Sequence, residues 1–348
     1  MSLPEWSYLH GKPQQSARFK LQPEDFVVIE DMGFEPDGAG EHILVYVRKR
    51  GENTAWVAGL LAKAAGVQRS AVTWGGLKDR NAVTEQWFGI HVPGKDEPDL
   101  SPVEGETIQI LKRSRHSRKL RTGTLKGNSF TILLREVAQT PELEARLAAI
   151  GERGVPNYFG DQRFGRGGNN LEAAESMFQG KRIKDRDKRS LFLSAARSYL
   201  FNQVVSERLA AGLSETLLAG DCLMLAGTHS FFSEPEVSDE LQQRLASGDL
   251  QLSAPLWGRG RQGAQADALA FETDKLAAFD SWKNGLEGAG MNQERRPLLL
   301  KPKEWQWSWL PDGLQLNFWL PAGCYATSVI RELVLLDPVE SHEDSGQQ

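Results

Sequence analysis

Cysteine is nearly absent from this 348-residue chain, which holds only Cys222 and Cys324. They form no CxxC pair, which speaks against a disulfide framework or a thiolate zinc site. Histidine is also sparse, with six residues and none in an HxH or HExxH spacing. No histidine-built metal centre is therefore signalled, and no metal is expected. No run of 18 apolar residues occurs, so no transmembrane helix and no membrane partner are expected. The opening MSLPEWSYLHGKPQQ lacks a basic start followed by an apolar run, so no signal peptide is expected and the cytoplasm is the default compartment. Nothing in the sequence points to an obligatory protein partner.

An excess of positive charge is missing too. Lys and Arg number 41 against 46 Asp and Glu, a net charge of −5, unlike the basic balance of a dedicated duplex-DNA binder. The charge is nonetheless segregated. Lys112–Arg121 reads KRSRHSRKLR, with six Lys or Arg and no acid; Lys181–Arg189 reads KRIKDRDKR, six positive against two negative. Arg48, Lys49 and Arg50 form a third run. Any one run reads best as a solvated loop or helix face. Three together make a phosphate-binding surface an equal alternative.

What is present is patterned as about two domains. In EDFVVIED (24–31), Phe26, Val28 and Glu30 share one strand face. A Gly/Pro/Asp-rich loop leads to HILVYVRK, with Ile43, Val45 and Val47 on one face, and the two segments read as a hairpin with a long turn. Asn53 or Thr54 caps a helix to about Ala65 that turns Trp56, Val57, Leu60 and Leu61 inward. Short strands AVTW and EQWFGIHV bracket a loop, and TIQILK and NSFTILLRE flank the first basic run. A helix covers about 141–153. The style changes at Gly154, after which a strong helix spans about 188–209 with Leu193, Leu200 and Val204 on one face. Strand character returns after Arg296, and a helix over about 326–336 closes the chain. The simplest organisation is an outer α/β domain, 1–153 plus 303–348, interrupted by an inserted domain, 154–302. A linear two-domain split is the alternative.

The sharpest local feature is the loop Gly75-Gly76-Leu77-Lys78-Asp79-Arg80-Asn81. Its glycines permit a tight bend, and the cations flanking Asp79 favour an ionised carboxylate, as nucleophilic or base catalysis requires. Spacing alone favours the plainer reading, a turn whose aspartate bonds its own backbone. The segment 154–170 combines Tyr158, Phe159, Arg163, Phe164 and Arg166 with several glycines, a mixture suited to phosphate and base contacts and equally to a plain linker. Its GDQRFGRGG is only a faint match to GxxxxGK[ST], with Arg166 for Lys and Gly167 for Ser/Thr, which excludes an NTPase reading. Trp305, Trp307 and Trp309 alternate on one strand face, more an aromatic core than a base-stacking platform. Lys20 and Arg331 are charges in places that require a partner, and an ion pair is the simplest account of each.

Taken together, FKLQPEDFVVIE (19–30), GGLKDRNAVTEQW (75–87), LKGNSF (125–130), GVPNYFGDQRFG (154–165), LSAARSYLFNQ (193–203) and LPAGCYATSVIREL (320–333) resemble the TruD family of tRNA pseudouridine synthases. The blocks run along most of the chain in the family's order. The resemblance implies an α/β (α+β) catalytic domain with a mixed, largely antiparallel sheet, interrupted by the family's inserted domain. It implies an isomerase that breaks the uridine C1′–N1 bond, turns the uracil and rejoins it through C5, with no cofactor. The family's catalytic aspartate falls on Asp79 and its active-site lysine on Lys20. Asn128 and Phe130 match residues beside the target uridine, Phe130 as the stacking ring. Phe26, Arg163, Arg166, Arg197 and Arg331 complete the candidate substrate contacts. The implied substrate is uridine at position 13 of a tRNA such as that for glutamate.

Overall fold

The computed structural model describes residues 3–94 and 96–337. They form two compact units. One runs from Pro13 to Leu147 and takes in Pro302–Gly323 and the segment from Leu333 onward. The other is built on Ala148–Lys301, together with the chain up to Lys12 and Cys324–Glu332. The last two segments are short, and they group with a unit whose main body is far away in sequence, which a reading by consecutive blocks does not give.

The first unit is a mixed sheet. In chain order its leading strands are β1 (Ser16–Phe19), β2 (Phe26–Asp31), β3 (His42–Arg50), β4 (Val72–Trp74), β5 (Val83–His91), β6 (Ile108–His116) and β7 (Gly127–Arg135). The strands Lys303–Leu310, Gly313–Pro321 and Leu335–Leu336 complete it. The order across the main path is Lys303–Leu310, Gly313–Pro321, β7, β2, β5, β3, β6. Only β2 with β5, and β1 with Leu335–Leu336, pair in parallel; the other pairs are antiparallel. The expected hairpin of β2 with β3 does not form, because β5 lies between them. A loop too long for a tight turn leaves both edges open to better partners.

Helix α1 (Thr54–Ala64) covers one face of this sheet, where Val57, Ala58 and Leu61 meet Ile43, Val45, Val47, Phe88 and Ile90. Trp56 is not inward as the periodicity suggested; it is 58% exposed. The strand Lys303–Leu310 lies beside α2 (Pro141–Arg153), where the indoles of Trp305, Trp307 and Trp309 donate to Leu147 O and to the Glu144 carboxylate. These tryptophans are half-buried and held by the protein itself. The closing helix is shorter than its pattern, Ala326–Leu333, and the chain returns to strand at Leu335.

The second unit has a four-stranded antiparallel sheet in the order Phe231–Ser233, Cys222–Leu225, Leu250–Leu256, Glu294–Pro297. Its core is the helix Arg186–Ala210, which buries Leu193, Leu200, Phe201 and Val204 against Leu223, Leu252 and Trp282. Asp185 caps that helix by accepting from the backbone of Asp187 and Lys188. Two buried ion pairs, Arg208 with Asp221 and Arg295 with Glu272, are bidentate, the geometry that offsets the desolvation of charge.

Candidate active site

Asp79 sits in the loop joining β4 to β5. The loop is fixed from several sides. Lys78 N donates to Thr54 Oγ1 at 3.1 Å, and Thr54 Oγ1 donates to Gln86 Oε1 at 2.9 Å. Gln86 Nε2 donates to Gly76 O at 3.3 Å. Neither Gly75 nor Gly76 has a positive φ, so the pair is not needed for the bend. A Cβ on Gly75 would come within 2.7 Å of the Leu125 side chain, which would have to shift to admit it.

Neither flanking cation is the one that meets the Asp79 carboxylate: Arg80 Nε donates to Gly51 O at 3.4 Å. Lys78 turns inward and pairs with Glu30, the two side chains being 7% and 0% exposed. Glu30 also accepts from Trp87 N at 2.8 Å. Burial pushes the Glu30 carboxyl up, opposed by the Lys78 ammonium beside it. The cation that meets the Asp79 carboxylate is Lys20, at Oδ2. Lys20 is held at φ +61°, a left-handed conformation that costs a side-chain-bearing residue about 1–2 kcal/mol. Its Nζ lies 4.3 Å from the Phe26 ring centroid and 5.1 Å from that of Phe19. The Lys20 and Asp79 side chains remain 16% and 30% exposed, so this pair faces solvent where the Lys78–Glu30 pair does not.

The neighbouring strands add an aromatic wall. Phe130 on β7 stands opposite Val28 and Phe318 in register. Its ring stacks on Phe26 (centroids 6.1 Å, 16°) and on Phe318 (5.3 Å, 25°). Asn128, opposite Glu30 and Leu320, has a buried Oδ1 with no hydrogen-bond partner. A buried orphan acceptor is rare enough to require an explanation. Lys20, Phe26, Asp79, Asn128 and Phe130 all lie in the sheet unit.

The remaining candidates lie in the other unit and have their own work. Arg197 donates to Trp257 O, Leu256 O and Asn292 O and pairs with Glu294. Arg163 donates to Ser194 Oγ and Tyr325 Oη. Arg331 donates to Trp6 O, Ser7 O and Glu332, and lies over Tyr8 and Tyr158. These three are spent on internal bonds. Arg166 is exposed.

The third basic run dissolves in the same way. Arg48 pairs with Glu85, Arg50 pairs with Glu24, and Lys49 is fully buried. Of the first run, Lys112, Arg113 and Arg115 lie on β6 beside Glu35 and Glu97. Arg118, Lys119 and Arg121 are exposed in the following loop, as are all six Lys and Arg of 181–189. The missed residues were Glu30, Lys49, Thr54, Lys78 and Gln86. Glu30 and Lys49 carried a signal: each continues an apolar alternation onto the buried face (Phe26, Val28, Glu30; Ile43, Val45, Val47, Lys49). Among the described residues no group of three or more His, Cys, Asp or Glu is placed to hold a metal ion, and no helix is long and apolar enough to cross a membrane.

The fold is of the pseudouridine synthase class: a crystal structure of a TruD protein from Methanosarcina mazei superposes with a TM-score of 0.72 at 20% identity, covering 94% of this chain and 95% of that one. The family model for tRNA pseudouridine synthase D (TruD) matches residues 5–185 and 171–333. The tRNA pseudouridine synthases D of Aeromonas salmonicida and Aeromonas hydrophila are 63% and 62% identical, each match covering 99% of this chain and 100% of the relative. That of Pectobacterium atrosepticum is 50% identical over 94% of this chain and 95% of its own. This chain belongs to the TruD family, enzymes that isomerise uridine to pseudouridine in tRNA.

Proposed function

We propose that this chain converts uridine 13 of tRNA, in a tRNA such as that for glutamate, to pseudouridine in the cytoplasm, with Asp79 as its essential carboxylate. The observation that carries the assignment is the Lys20–Asp79 pair: a carboxylate held by one ammonium at Oδ2, still open to solvent, on a loop pinned by Thr54 and Gln86. The other acid nearby, Glu30, is sealed by Lys78 and Trp87 N and has no access to a ligand.

Asp79 acts on the ribose, by attack at C1′ or removal of the C2′ proton. The C1′–N1 bond breaks, the uracil turns, C1′ bonds to C5, the C5 proton leaves and N1 gains one. Atoms and electrons balance with no redox partner. Lys20 holds the carboxylate by a charge-assisted bond. The uridine leaves its stack to reach Asp79, at a cost of a few kcal/mol. The Oδ1 of Asn128 is buried without a partner, so it can accept from uracil N3–H only after the amide turns outward. Phe26 and Phe130 are the aromatic rings beside it, stacked on each other and 8% and 7% exposed.

The test is Asp79→Asn, nearly isosteric and neither an anionic nucleophile nor a base. The expected result is an intact fold and tRNA affinity with no tritium release from C5-labelled uridine in tRNA; wild-type release refutes the role of Asp79. Mapping by chemical adduct and primer extension on an unmodified tRNA-Glu transcript should give one new stop, at position 13. Modification confined to the anticodon or T arm overturns the position and leaves the enzyme class intact. Free uracil as product points to a hydrolase instead.

A further inference from the structure

Beneath the Asp79 loop lies a lysine with no contact to solvent. Lys49, near the end of β3, is 0% exposed. Its Nζ donates to Glu52 O at 2.7 Å and to Asp79 O at 3.1 Å. Its neighbour in register on β5 is Thr84, whose buried Oγ1 has no hydrogen-bond partner. An ammonium in such a place is costly, because burial disfavours the charged form. The fold would be cheaper with Met at this position unless the cation does something.

What it does is visible from its two acceptors. One carbonyl belongs to Asp79 itself, and the other to the turn that begins α1. One side chain thus ties the backbone of the catalytic loop to the helix on which Thr54 holds the same loop. We propose that Lys49 is a positioning residue for the isomerisation, fixing the Asp79 backbone through a charge-assisted bond while Lys20 holds its carboxylate. The inference rests on the assignment of Asp79 as the essential carboxylate.

The charged groups that face Lys49 are Asp79 and Lys78 on the loop, Glu52 before α1 and Glu30 on β2. Burial pushes the Lys49 ammonium down to about 8, the Asp79 carboxylate opposing this most. Charge-assisted bonds are roughly twice as strong as neutral ones, so loss of this proton slackens the loop. A purely structural lysine would leave the rate's pH profile alone.

The experiment compares wild type, Lys49→Met and Lys49→Arg in single-turnover tritium release from tRNA between pH 6.5 and 9.5, with tRNA affinity and thermal unfolding measured beside it. Wild type should show a rate that declines through about pH 8. Lys49→Met should lose about tenfold in rate, the factor 1.36 kcal/mol corresponds to, keep its tRNA affinity and lack the decline. Lys49→Arg, charged throughout, should also lack the decline. A wild-type rate that stays level to pH 9.5 overturns the proposal without any variant. So does a folded Lys49→Met with the wild-type rate, or the same decline in all three proteins. If Asp79→Asn is fully active, the underlying assignment fails first; if it is inert while Lys49→Met is normal, only the role of Lys49 falls.

Discussion

Replacing Lys20 separates two things the structure combines at one residue, a charge and a strained backbone. Lys20→Met deletes the ammonium and keeps the left-handed φ of +61°. Lys20→Gly deletes the same charge and relieves the strain. The energy at stake in the Lys20–Asp79 pair lies between an exposed pair at about 1 kcal/mol and the roughly 3 kcal/mol at the low end for breaking a buried one, because the side chains are 16% and 30% exposed. At 1.36 kcal/mol per factor of ten, both variants should lose about 5- to 150-fold in the rate at saturating tRNA. They should differ in stability. The left-handed conformation costs about 1–2 kcal/mol with a side chain, and the extra unfolded-state freedom of glycine returns about 0.4–1 kcal/mol of that. Lys20→Gly should therefore unfold at a higher urea concentration than Lys20→Met while being equally slow. The assay is single-turnover tritium release at saturating tRNA, with a binding isotherm and a urea titration. Full rate with weakened binding would make Lys20 a phosphate contact and not the group that holds the Asp79 carboxylate.

Phe130→Leu should lose about 1–3 kcal/mol of base stacking in kcat/KM; a variant that is less stable yet fully active would restrict Phe130 to its stack with Phe26 and Phe318. Binding of tRNA should weaken steeply with salt despite the acidic composition, each neutralised phosphate contributing a slope of about −0.7 to −0.9 in log K against log salt. Charge reversal at Arg118, Lys119 and Arg121 should flatten that slope, whereas Arg50→Glu should not, since Arg50 is engaged by Glu24; the measurement is affinity across a salt series.

Much of this molecule was legible because alternation is a local property. The faces of β2 and β3, helix Arg186–Ala210 and the placement of Asp79 in a loop between strands follow from neighbours in sequence. The order of strands does not: β5 enters between β2 and β3 through pairings that no local pattern encodes. Charges were hardest to read. Arg163, Arg197 and Arg331 had the composition of phosphate ligands and are occupied by carbonyls, hydroxyls and their own acids. A guanidinium's partners are set by tertiary contact, so sequence supplies the donor without its acceptor. Lys49 shows the converse, a basic residue grouped with its surface neighbours whose place in the β3 alternation marked it as buried.

The pairing of β7 with Gly313–Pro321 has a consequence for the birth of the protein. Gly127 opens β7 so closely under Trp319 and Leu320 that no side chain fits there. Yet the ribosome releases the two strands far apart, with all of Ala148–Lys301 translated between them. At about 5–20 residues per second, β7 waits on the order of 10–40 s for that neighbour. During this interval the strand bearing Asn128 and Phe130 has an unpaired hydrogen-bonding edge, the kind of surface on which nascent chains associate. The site is therefore completed late, and a chain stopped before residue 313 would carry Asp79 and Lys20 beside an open sheet.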